Sequence, residues 1–234
     1  MLILSVDSSA SPASVALYDN KMIAEYYTNT GLTHSQTLVA MIESVLSVTG
    51  IKADQIDLYA VNNGPGSFTG VRIGVSAVKG MAYADQKPCV AISTLESMAY
   101  NFLSSDAVIC CSMDARRQQV YNALFRVKDG VVTRLCEDRA ISVESLCEEL
   151  KRFDERVILI GDGSELVYRS CSDNDRVRLA PDNLRFQRAS STALVAVEKA
   201  ERGELIDAKA LIPSYLRLSQ AEREMKSKQE GSLL

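Results

Sequence analysis

The chain has 234 residues, 47% of them hydrophobic, with 26 Lys or Arg against 30 Asp or Glu and a formal net charge of −4. That is enough apolar material for a sizeable core in one large or two modest domains. No run nears the roughly 20 apolar residues of a membrane-spanning helix, and the N-terminal MLILSVDSS has no basic lead, so a globular cytoplasmic protein without a membrane partner is expected.

Residues 1–6 form an apolar run suited to a central strand. After Asp7, Ser8, Ser9 and a Ser/Pro turn, residues 14–18 and 22–28 read as two further strands joined at Asp19 and Asn20. The period then changes. Over residues 33–50, Leu38, Met41, Ile42, Val45 and Leu46 fall on one helical face, Thr33 with Gln36 offers a capping box, and Gly50 closes the helix. A strand at 58–62, a helix at 69–84, a strand at 90–93 and a helix at 94–103 follow. Three strands in a meander followed by alternating strand and helix predict a mixed sheet with helices on its faces.

The second half begins again with strands at 107–113, 119–127 and 131–136, the last two joined by Asp129 and Gly130. A helix at 143–153, a strand at 157–160 ending in Gly161, Asp162 and Gly163, and a helix at 190–203 complete a second, similarly built domain. The expected division is therefore 1–106 and 107–234, with a polar, mobile tail from Ser219.

Charge is distributed unevenly. Residues 1–110 carry 5 Lys or Arg and 9 Asp or Glu, whereas residues 111–234 carry 21 of each sign. A first half so poor in charge is expected to keep an apolar patch for a partner, unless Ser, Thr, Asn and Gln supply its wet surface. Neither half is net positive, which argues against unaided gripping of a nucleic-acid backbone. The six cysteines, Cys89, Cys110, Cys111, Cys136, Cys147 and Cys171, show no CxxC spacing and argue against both a zinc site and a secreted disulfide scaffold.

The segment NNGPGSFTGVRIGVSAVKG, residues 62–80, is the most informative. A strand runs into a glycine-punctuated turn and a helix N-terminus, an arrangement that suits an anion or a closely docked element, although neither GxxxxGK[ST] nor GxGxxG is present. Gly66, Gly70 and Gly74 make a small-residue ridge open either to a partner or to the protein's own sheet, and Arg72 is the lone cation between Asp57 and Lys79. Asp7 with Ser8 and Ser9 is a candidate phosphate contact or an ordinary turn. His34 is the only histidine and has no partner for a triad or a metal pair. Arg116 and Arg117 suit an anionic partner or a solvated strand end.

Taken together, MLILSVDSSASPASVALYD, NNGPGSFTGVRIGVSAVKGMAYA, PCVAISTLESMA and the late PSYLR closely resemble the bacterial TsaB (YeaZ) family over nearly the whole chain. The resemblance implies an α/β, actin-like ATPase fold (ASKHA, ribonuclease H-like) with two related domains. It also implies a part in making threonylcarbamoyladenosine in tRNA, beside a TsaD transferase and a TsaE ATPase, with self-association when alone and tRNA met through the complex. The related TsaD presents two metal-binding histidines four apart where this chain has Thr94 and Met98, so no metal site and no catalytic residue are expected. ATP with magnesium is expected only at a site shared with partners. The reading is a noncatalytic scaffold whose first domain offers a face built from Met41, Val45, Gly66, Gly70, Arg72 and Gly74. The alternative is an actin-like ATPase or small-molecule kinase that uses Asp7 and the glycine turn; a metalloprotease lacks ligands.

Overall fold

The computed structural model describes residues 1–171 and 173–217. The expected tail from Ser219 lies outside the described residues. The chain runs β1 (Ile3–Asp7), β2 (Ala13–Tyr18), β3 (Met22–Thr28), α1 (His34–Thr49), β4 (Leu58–Gly64), α2 (Phe68–Asp85), β5 (Cys89–Ser93) and α3 (Thr94–Ala99). It continues through β6 (Ala107–Asp114), β7 (Gln119–Lys128), β8 (Val131–Arg134), β9 (Arg139–Ser142), α4 (Val143–Leu150), β10 (Val157–Ile160), α5 (Ser164–Ser170), β11 (Val177–Leu179), α6 (Asp182–Arg185) and α7 (Ala189–Glu201).

Two sheets form with the same topology. The first has the order β3-β2-β1-β4-β5 and the second β11-β10-β6-β7-β8, with β9 also paired to β7. In each, a three-strand antiparallel meander continues into two parallel strands, so β6, β7, β8, β10 and β11 repeat β1 to β5. The mixed sheets with helices on their faces and the two related units are as expected.

Helices α1 and α2 cover one face of the first sheet. Leu38, Met41, Ile42 and Val45 of α1 meet Val71, Val75, Val78 and Ala82 of α2 over Leu4, Val6, Val15 and Val61. Each of the Val, Leu, Ile and Met side chains among these, buried from water, contributes about 1.5–3 kcal/mol. Helix α1 ends as the sequence predicts, at Gly50 in the left-handed conformation (φ 69°). Its expected capping box does not form: the Thr33 side chain makes no cap hydrogen bond, and only the Thr33 carbonyl accepts, from Gln36 N at 2.9 Å.

The helix expected at 190–203 as part of the second domain packs instead on the first sheet. As α7 it lies on the other face of the first sheet, where Val195 and Ala196 pack on Ile3, Leu58, Ala60, Val90 and Ile92. Conversely, α3 inserts Leu95, Met98 and Ala99 among Ile109, Met113, Phe125 and Ile160 of the second sheet. Each half thus lends its last α-helix to the other's sheet. The lock on α7 is polar as well as apolar: Arg188 donates to Glu25 Oε2 at 2.6 Å, and Ser190 N–H donates to Glu25 Oε1 at 3.1 Å.

The elements β9, α5, β11 and α6 were not predicted; they are three to seven residues long. Cys147 on α4 and Cys171 after α5 are joined in a disulfide, a pairing that the spacing did not indicate. Among the described residues, no helix is long and apolar enough to cross a membrane.

Candidate partner interface and inter-lobe cleft

The end of β1 delivers Asp7 into the interior rather than to a ligand. Its carboxylate is 0% exposed: Oδ1 accepts from Ser9 N–H at 2.9 Å and the Ser9 hydroxyl at 3.0 Å, while Oδ2 accepts from Asn62 Nδ2. Burial pushes the Asp7 carboxyl above its ordinary range, opposed by the hydrogen bonds from Ser9 and Asn62. Ser8 donates its hydroxyl to the Gly70 carbonyl at 2.8 Å. Of the two readings of Asp7, Ser8 and Ser9, a phosphate contact or an ordinary turn, the geometry has the turn, buried and with its polar atoms engaged within the fold.

That turn occupies the glycine ridge. A Cβ at Gly66 or Gly70 would come well inside 3.0 Å of the Ser9 or Ser8 carbonyl oxygen, and one at Gly74 equally close to the Ser8 hydroxyl. The ridge exists so that α2 can sit against its own β1–β2 turn. Met41 and Val45, at 4% and 3% exposed, belong to the core beneath α1. Gly66, Gly70, Gly74, Met41 and Val45 are thus removed from the expected partner face. A small residue or an apolar stripe looks the same in sequence whether its own sheet or another chain covers it.

Of the six residues, Arg72 alone lies in the exposed class, and it too is held by its own chain. Its guanidinium sits 3.7 Å above the Phe68 ring centre, and Nε donates to the Tyr215 hydroxyl at 2.7 Å. Tyr215 stacks on Phe68 with ring centres 4.7 Å apart. This closes a C-terminal strap. Cys89 and Ile206 exchange backbone hydrogen bonds, Lys79 Nζ donates to the Lys209 carbonyl at 2.9 Å, and Ser214 N–H donates to the Asn63 carbonyl at 2.7 Å. Gly64 has to be glycine here: φ is +128°, and a Cβ would strike the Ser214 carbonyl. The late PSYLR segment therefore folds over the glycine turn, a role its sequence did not reveal.

The surface that remains is the outer side of α1 and α2. Val39 and Val48 are 57% and 85% exposed on α1, with Leu32 at 57% just before it. On α2, Thr69, Ser76, Gly80 and Ala84 are exposed and Ile73 and Ala77 half-buried. A Cβ at Gly80 would meet nothing within 4 Å. The Asp, Glu, Lys and Arg residues of the two helices are Glu43, Arg72, Lys79 and Asp85. Arg72 and Lys79 are held by the strap, and Asp85 accepts from the Tyr59 hydroxyl at 2.5 Å. Glu43 and Arg72 are exposed, so the outer face carries few charges rather than none, and its small side chains let a helix approach closely. Of the residues named from the sequence, Met41, Val45, Gly70 and Gly74 lie on the inward faces of these helices, whereas Val39 and Gly80 are exposed and Ile73 and Ala77 half-buried.

Between the two units lies a cleft of about 720 Å³ at the starts of α1 and α2. His34 projects there with Nε2 2.6 Å from the Ala10 carbonyl, so Nε2 carries the proton and donates. Opposite, residues Arg116 to Gln118 adopt left-handed backbone conformations at φ 65°, 55° and 55°. Arg116 is 87% exposed and pairs with Asp114 at 3.2 Å, a surface pair worth at most about 1 kcal/mol. Arg117 stands beside it in an exposed loop. Thr94 and Met98, both 0% exposed on α3, point into the protein.

A Bacillus subtilis protein described as "tRNA threonylcarbamoyladenosine biosynthesis protein TsaB" is 32% identical over 225 residues, covering 95% of this chain and 96% of that one. The chain belongs to the TsaB (YeaZ) family. An Escherichia coli relative with the same description is 24% identical and covers 98% of this chain and 100% of its own. The solved structure of YeaZ from Pseudomonas aeruginosa superposes with a TM-score of 0.79 at 26% identity, over 92% of this chain and 99% of that one. The family model "TsaD: tRNA N6-adenosine threonylcarbamoyltransferase" matches residues 28–225, so this TsaB-family chain also carries the transferase's own fold pattern.

Proposed function

We propose that the chain is a noncatalytic scaffold in the synthesis of threonylcarbamoyladenosine in tRNA, binding a TsaD-type transferase through the outer face of α1 and α2. The single observation that carries this reading is that face, with Val39, Ile73, Ala77 and Gly80 presented on two adjacent helices that carry few charges. The match to the transferase family model supports a partner of like build, because a homologous helix pair offers a complementary surface. The same face serves a second copy when the transferase is absent, a TsaE-type ATPase joins the assembly, and tRNA is met through it. The division into 1–106 and 107–234 applies to the strands, each unit completed by the other's helix.

Magnesium and ATP do not fit the isolated chain at Asp7, Ser8 and Ser9. The Asp7 oxygens already accept from Ser9 and Asn62, and the Ser8 hydroxyl is committed to Gly70. Nucleotide is bound only where partner subunits complete a site. The enzyme reading, an actin-like ATPase or small kinase, has the inter-lobe cleft in its favour, and calorimetry of the isolated protein with Mg-ATP separates the two. The scaffold reading predicts no heat of binding; micromolar affinity with turnover overturns it.

The interface itself is tested by Val39→Glu, which places a charge on the outer face without touching the core. Size-exclusion chromatography with a TsaD-type partner should show loss of the heterodimer peak while circular dichroism stays unchanged. A heterodimer that forms as before moves the interface elsewhere.

A further inference from the structure

The second sheet carries a feature that the scaffold role does not use. Helices α4 and α5 cover the face of that sheet opposite α3, and the Cys147–Cys171 disulfide joins them across 24 residues of chain, with Cα atoms 5.4 Å apart. The four remaining cysteines are free. Cys89, Cys110 and Cys111 are fully buried, and burial pushes the Cys89 thiol up to about 11 and Cys110 to about 12, which leaves almost no thiolate for exchange. Cys147 and Cys171 are buried too, at 7% and 3% exposed, but Cys147 forms part of the wall of an open surface groove of about 560 Å³, beside Glu144, Glu148, Lys151 and Asp173.

The groove is acidic. Among the described residues Lys151 is its single cation, and Nζ lies 2.8 Å from Glu148 and 3.3 Å from Asp173, so its charge is answered twice while Glu144 adds another negative one. An incoming thiolate meets a negative potential there, strongest for a reagent that carries further carboxylates.

We propose that Cys147 and Cys171 form a thiol–disulfide exchange site reached through this groove, selective for uncharged or cationic thiols over anionic ones. In the reducing direction a reagent thiolate attacks Sγ of Cys147, and the Cys147–Cys171 bond breaks with its electron pair on Sγ of Cys171, which takes up a proton. A second reagent thiolate then attacks the reagent's sulfur in the mixed disulfide. This releases the reagent as its disulfide and Cys147 as a thiolate, which takes up a proton, two electrons having passed to the protein. Oxidation by a low-molecular-weight disulfide is the reverse. Reduction unties α4 from α5 and softens this layer, leaving the α1 and α2 face, which is on the other unit, untouched.

The test uses the full chain. Iodoacetamide labelling followed by peptide mapping should find Cys147 and Cys171 linked before reduction and both alkylated after it, with Cys89, Cys110 and Cys111 unlabelled in the native protein. Reduction by cysteamine, 2-mercaptoethanol and glutathione, compared at equal thiolate concentration, should be fastest for cysteamine and slowest for glutathione. The extremes should differ at least about threefold at low salt and converge at high salt. Glu144→Gln with Glu148→Gln, both on exposed positions, should raise the glutathione rate. The reduced protein should melt about 5–10 °C lower than the oxidised one. Alkylation of both cysteines without reductant overturns the site, and equal rates for the three thiols at low salt overturn its selectivity.

Discussion

Asp7 is the residue at which a family expectation and the local chemistry part company. A carboxylate at the end of the first strand is well placed for a phosphate or a cation, but here Ser9 and Asn62 take its oxygens and water is excluded. Its pKa is raised by that burial, so folding favours the protonated form. The stability this contributes is present in full below the unfolded value of 3.8 and is lost as pH rises through the folded value. Urea melts of the wild type and Asp7→Asn from pH 4 to 8 should therefore show the wild type losing ground to the variant with rising pH, by about 1.4 kcal/mol for each unit by which the pKa is raised. A difference that stays flat contradicts the burial account. At Gly70 the expected cost is steric: Gly70→Ala drives a Cβ into the Ser8 carbonyl and should lower stability by about 1–3 kcal/mol in a chemical melt. The residue types at these positions were legible in the sequence, but their orientation was not. An Asp-Ser-Ser turn and a glycine repeat suit either a ligand or the protein's own backbone, and only the path of β1 against α2 decides.

Among the elements, long periodic ones were legible and short ones were not. Residues 33–50 show a helical face because Leu38, Met41, Ile42 and Val45 are all covered by the sheet. Helix α6 buries no side chain, and β9 has four residues beside an edge, so neither leaves a periodic mark. The exchange of α3 and α7 between sheets was equally hidden, because periodicity shows that a helix has an apolar side and not which sheet receives it. For α7, the decisive contacts are with Glu25 on β3. Glu25 is 12% exposed, and its side chain binds Arg188 and both the N–H and the hydroxyl of Ser190 at the helix start. Glu25→Ala should cost about 2 kcal/mol in a urea melt and speed amide exchange in the first turn of α7 more than in α1. Equal protection of α7 in both proteins would show that apolar packing alone holds it.

At the scale of the whole molecule, the uneven charge acquires a physical meaning. The charge-poor half is the one whose two long helices turn Val39, Ile73, Ala77 and Gly80 outward, while the repeated sheet topology and the full-length match to the TsaB family supply the framework that holds them. Composition points to this half, and the geometry replaces the glycine ridge with the outer face as the candidate contact surface. The most direct measurement is the dissociation constant of the complex with a TsaD-type transferase for Gly80→Arg, set against Arg152→Glu on the other unit as a control. Gly80 has open space around it, so the variant should keep its fold and weaken binding about 30-fold or more, near 2 kcal/mol, while the control binds as the wild type does. A Gly80→Arg protein that binds as tightly as the wild type would contradict the account.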